Sequence, residues 1–67
     1  MRIVLNGVET ETVAGTVQDL LGEVLNAAAT DGVAVAIGGE VVRRGEWALR
    51  GVCEGDSVEV IRAVGGG

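Results

Sequence analysis

The chain has 67 residues, ten acidic side chains against five arginines for a net charge of −5, no His, Lys or Tyr, and one cysteine. That inventory removes the usual general bases and amine nucleophiles, every common zinc or transition-metal arrangement, and any internal disulfide. One aromatic residue and no basic cluster beyond Arg43-Arg44 speak against nucleic acid, and no apolar run is long enough to cross a bilayer.

Residues 1–13 read as a β-hairpin. Ile3 and Leu5 alternate with Arg2, Val4 and Asn6, and Asn6-Gly7 is a strong two-residue hairpin signal. Thr10, Thr12 and Val13 are β-branched and suit the returning strand. Ala14-Gly15 then breaks the pattern. Thr16-Val17-Gln18-Asp19 has the form of a capping box, in which the threonine hydroxyl accepts a helix-start N–H and the acid reaches back. Val17, Leu20, Leu21, Val24 and Leu25 recur at helical spacing and make one apolar stripe, with Gly22 off it. The helix is expected to end between Ala28 and Gly32, where Thr30-Asp31-Gly32 supplies turn chemistry.

Val33, Val35 and Ile37 alternate with Ala34 and Ala36 as a third strand. Gly38-Gly39 suits a second tight turn, and Glu40-Val41-Val42 a short returning strand. Residues 43–52 are irregular, with one helical turn expected around Glu46-Trp47-Ala48. Glu54-Gly55-Asp56 is another turn, and residues 57–64 form the last strand. The order is β-β-α-β-β-β. A single helix covers one face of a mixed sheet, so the fold is a two-layer α+β domain with its second face partly open. In the last strand Val58 and Val60 point one way, Ile61 and Ala63 the other.

The sequence closes on Gly65-Gly66-Gly67. Glycine lacks a Cβ and visits backbone conformations closed to other residues, so such a tail can lie close against a partner's backbone. The plainer reading is a frayed end. The acidic field favours a partner with a positive docking surface, or else simply aids solubility.

The chain resembles the ThiS family of sulfur-carrier proteins of thiamine biosynthesis, in the MoaD/ThiS superfamily. The residues that carry the likeness run in order along the whole sequence: Ile3-x-Leu5-Asn6-Gly7, Ala14-Gly15-Thr16-Val17 leading to Leu20-Leu21, and Val35-Ala36-Ile37-x-Gly39-Glu40-Val41-Val42. Trp47, Glu54-Gly55-Asp56, Val58-Glu59-Val60-Ile61 and the ending Ala63-Val64-x-Gly66-Gly67 complete it. The family often has Pro-Arg after the Val-Val pair, where this chain has Arg43-Arg44. The resemblance implies the ubiquitin-like β-grasp fold: residues 1–64 as the domain and 65–67 as a flexible glycine tail.

It also implies a chemistry. A terminal carboxylate is an anion at neutral pH and a poor electrophile. In proteins similar to this one, an E1-like adenylating enzyme of the ThiF type uses ATP and Mg to turn the Gly67 carboxylate into an acyl-adenylate. A persulfide donor then displaces AMP and leaves a thiocarboxylate, whose sulfur goes to a thiazole synthase of the ThiG type. Gly65 and Gly66 would thread into the partner. The chain itself would bind no cofactor and catalyse nothing, and it would work as a monomer in the cytoplasm.

The other residues have plainer readings. Cys53 reads as a small buried or half-buried filler beside the turn. Trp47 caps the core edge, with a partner hot spot as the lesser reading. Arg43-Arg44 reads as solvated loop. Val4, Ile61 and Ala63, on the open sheet face beside the tail, are the candidate partner surface. Two alternatives stay open: a sulfur carrier for another product, such as molybdopterin, cysteine or a sulfur-containing natural product, and a ubiquitin-like modifier or interaction module.

Overall fold

Asn6 and Gly7 adopt φ of 50° and 82°, the left-handed pair that a two-residue hairpin turn with the right twist requires. The computed structural model, which describes residues 1–25 and 31–62, accordingly folds strands β1 (Arg2–Leu5) and β2 (Val8–Glu11) back on each other. Ile3 lies opposite Thr10 and Leu5 opposite Val8. Gly38 and Gly39, at φ of 58° and 84°, do the same for β3 (Val33–Ile37) and β4 (Glu40–Val42). β5 (Ser57–Arg62) enters the sheet between the hairpins, parallel to β1 and antiparallel to β3. The strand order is β2-β1-β5-β3-β4.

Register decides which side chains meet the core, because directly paired residues share a face of the sheet. Ile3, Val35, Ile37, Val42 and Val58 all turn inward and are buried. Helix α1 (Val17–Val24) lies on that face and contributes Val17, Leu20 and Leu21. Trp47 and Val52 close the remaining gap from the long connection before β5. The two-layer arrangement expected from element order is the one observed.

The helix begins where its sequence says it should. Thr16 is extended, and its hydroxyl accepts the Asp19 N–H at 3.2 Å. Among the described residues the reciprocal half of the capping box is not made; aspartate is one carbon shorter than the glutamate that usually reaches back. Asp19 still adds negative charge in the first turn, where the helix dipole favours it.

The end of the helix corrects the sequence reading. α1 stops at Val24, with Leu25 already extended at φ −128° and ψ 158° and its N–H still bonded to the Leu21 carbonyl. The apolar stripe runs out here: positions 28 and 29, where it would continue, hold only alanine, so further turns would bury little area. Residues 26–30 lie outside the described part of the chain, as does the expected extension of the last strand beyond Arg62.

Two side chains stitch the layers together. Buried Thr12 donates its hydroxyl to the Glu23 carboxylate on the helix and accepts the Ala14 N–H at 2.9 Å. Trp47 donates its indole N–H to the Val42 carbonyl at 3.0 Å, tying the irregular connection to β4. Gly22, by contrast, is exposed, and a Cβ built there meets nothing within 4 Å. Gly22→Ala is therefore expected to raise stability by about 0.5–1 kcal/mol through the lower backbone entropy of the unfolded chain. Urea denaturation checks this, and an unchanged or lower midpoint would show that the helix depends on glycine here.

Candidate functional site

The glycine tail singled out by sequence, Gly65, Gly66 and Gly67, lies outside the described residues, as does Ala63. What is described is the platform from which it leaves. β5 is the central strand, paired with β1 on one side through Val4↔Ser57 and Leu5↔Val58, and with β3 on the other as far as Val33↔Arg62. Ser57 and Val58 are therefore held from both sides, while from there to Arg62, the last described residue, the strand pairs with β3.

Asn6 adds to that hold, which sequence reasoning missed. Its main chain has already turned toward Gly7, yet its carboxamide reaches β5. Nδ2 donates to the Val60 carbonyl at 3.3 Å and Oδ1 accepts the Val60 N–H at 2.9 Å. Asparagine in an Asn-Gly pair signals a turn; a partner 54 residues away leaves no local trace in sequence.

The sheet face opposite the helix is open. Val4 shares it with Ser57, and Ile61 with Ala34, so two of the predicted partner-surface residues do lie on one face. Val41 joins them through its pairing with Ala36. Val4 is half-buried, whereas Ile61 and Val41 are 61% and 70% exposed. Toward β2 the face becomes charged: Arg2 bridges Glu11 at 2.9 Å and Glu9 at 3.5 Å. Glu59 stands among the apolar residues with no ion pair among the described residues. An apolar patch with an acidic fringe suits a partner surface that is itself apolar at its centre and basic at its rim. At the β4 edge, a groove of about 390 Å³ lined by Glu40, Val41, Val42, Glu46, Leu49 and Arg50 adjoins this face.

Two sequence readings are corrected by the connection before β5. Cys53 is exposed and not a filler. Val52 takes the inward position, and Cys53, next along, turns outward to open the turn, its N–H bonded to the Asp56 carboxylate at 2.8 Å. Arg44, expected in a solvated loop, instead lies 5.2 Å over the Trp47 ring and 3.6 Å from Asp31. A 3-10 turn at Arg44–Glu46 brings it there, two residues earlier than the helical turn read from sequence. Trp47 itself is 6% exposed and belongs to the core at its β4 edge. The cation above its ring shields the remaining face, leaving the partner hot-spot reading without support.

Among the described residues, no three His, Cys, Asp or Glu side chains are grouped to hold a metal ion. None of the described helices is long and apolar enough to cross a membrane.

The ThiS family model matches residues 3–67 of this chain. Two solved structures are similar over its whole length. The crystal structure of the thiamine biosynthesis protein ThiS from Geobacter metallireducens is 30% identical, with a TM-score of 0.82 and both chains covered in full. The NMR solution structure of a thiamine biosynthesis protein from the same organism is also 30% identical, with a TM-score of 0.79, covering all of this chain and 88% of that one. Among curated proteins, none matches.

Proposed function

Because this chain belongs to the ThiS family and has its ubiquitin-like β-grasp fold, we propose that it is a sulfur carrier of thiamine biosynthesis whose reactive group is the Gly67 carboxylate. The observation that carries this reading is the extent of the family match, which runs through the final glycines to residue 67. The likeness to a thiamine biosynthesis protein over both full lengths supports it.

In this reading a carboxylate oxygen of Gly67 attacks the α-phosphorus of ATP in the active site of an E1-like, ThiF-type enzyme, and pyrophosphate leaves. The terminal sulfur of a persulfide donor then attacks the acyl carbon, and AMP leaves. Cleavage of the sulfur–sulfur bond by a second thiol frees a thiocarboxylate on Gly67 and leaves a disulfide. The thiocarboxylate sulfur is a soft nucleophile that a ThiG-type thiazole synthase consumes. ATP and Mg bind the partner, and this chain binds no cofactor of its own. Residues 1–64 are the domain that the partner recognises, and residues 65–67 are the tail that enters it. The protein acts in the cytoplasm as a monomer.

The open sheet face is the natural docking surface, since Ile61 lies on β5, the strand that leads to the tail, and Val4 on β1 beside it; Ala63, expected from sequence on the same face, lies outside the described residues. The test is growth of a bacterial strain that lacks its own ThiS and requires thiamine. Expression of this chain is expected to restore growth, and Ile61→Glu to weaken the rescue at equal protein level by setting a carboxylate against an apolar partner surface. No rescue by the unaltered chain, despite sulfur loading in vitro, would point to a carrier serving another product. Full rescue by Ile61→Glu would move the docking surface elsewhere.

A further inference from the structure

We infer that Asn6 is a positioning residue for sulfur loading: its carboxamide stands in for a peptide group of β1 and fixes the strand end from which the glycine tail is delivered. This rests on the carrier reading above and adds to it a residue distant in sequence from the reactive terminus.

The register makes the case. The Gly38 N–H bonds to the Ser57 carbonyl on the β3 side, while the Asn6 N–H bonds to the Val58 carbonyl on the β1 side. Odd-numbered residues of β5 thus turn their peptide groups to β3, and even-numbered residues to β1. The next even residue is Val60, and by that point the main chain of β1 has gone into its turn, with Asn6 at φ 50°. The side chain takes over the ladder. It offers one acceptor and one donor, and Val60 uses both, at 2.9 and 3.3 Å. The same residue that turns the first hairpin therefore holds the last strand five residues before Gly65.

Without this hold, β5 keeps its β3 pairing but loses its β1 pairing at Val60, so the strand end explores a wider range of directions. Binding to the adenylating partner must then select the productive direction from a broader ensemble, which raises the apparent KM while leaving the bound complex unchanged. Asn6→Gly isolates the effect, because glycine accepts the left-handed turn conformation and removes only the carboxamide. Asn6→Asp keeps the acceptor for the Val60 N–H but not the donor.

Steady-state sulfur loading by a ThiF-type enzyme with Mg-ATP and sulfide, run where all variants are folded, tests the assignment. Asn6→Gly is expected to raise KM for the carrier about tenfold with kcat changed less than about twofold, and Asn6→Asp to fall between. Amide exchange at Val60 should quicken in Asn6→Gly. Thr12→Val, which breaks the link to Glu23 far from the tail, serves as the stability control and should lower the melting temperature without moving KM. A KM for Asn6→Gly within about twofold of the unaltered protein, or a matching rise in Thr12→Val, overturns the assignment and leaves the carrier reading intact. Unaltered protein that takes up no sulfur from an enzyme active on another carrier overturns both.

Discussion

Gly66→Val is expected to lower the rate of sulfur loading by at least about a hundredfold while leaving the fold untouched. In the proposed reaction the acyl carbon of Gly67 meets the α-phosphate and then the persulfide sulfur inside another protein, and on that reading the residue before it passes through a narrow channel. A β-branched side chain there both fills that channel and restricts the backbone angles available to the tail. A displacement of about 1 Å at the reacting carbon is enough for a loss of this size. The described core reaches only to Val60, so the urea midpoint should not move. Intact-mass time courses of loading, paired with denaturation curves, separate the two effects. Loading at the unaltered rate would show that the partner admits a bulky penultimate residue and would remove the steric reason for the glycines.

The largest expected effect on stability belongs to Leu20. It is fully buried at the centre of the helix face, against β-strand residues such as Ile3, Val35 and Val58. Leu20→Ala removes that packing and leaves a cavity that an eight-residue helix is poorly able to close. The cost should be about 2–5 kcal/mol. A domain of this size has roughly 3–10 kcal/mol in total, so the variant should be partly unfolded at growth temperature. Chemical denaturation followed by Trp47 fluorescence reads this directly, since that indole is in the same core. A loss below about 1 kcal/mol would mean that the helix does not supply the centre of the core.

Much of the fold was legible because its signals are local. Asn6-Gly7 and Gly38-Gly39 need positive φ at both turn positions, and both hairpins formed where those pairs stand. Thr16 marked the helix start through its hydroxyl. Alternation in Val33–Ile37 fixed which residues meet the core. Features that depend on distant partners were not legible. The helix ended at Val24, with Leu25 already extended, although the alanines that follow have high helix propensity. The outward turn of Cys53 followed from Val52 taking the inward position and from the Asp56 carboxylate capping the turn. Arg44 found Trp47 and Asp31 only once the 3-10 turn and the start of β3 were brought together. The open face was foreseen from the count of helices, since one helix covers one face. Its extension to Val41 required the register of β4 on β3.

The most direct test of the carrier chemistry is the intact mass of the protein after incubation with a ThiF-type adenylating enzyme, Mg-ATP and a sulfide source. A gain equal to the exchange of one oxygen for one sulfur is expected, absent when Gly67 is deleted. An unchanged mass, with the same enzyme shown to load another carrier, would contradict the carrier chemistry, and so would the same gain in protein lacking Gly67.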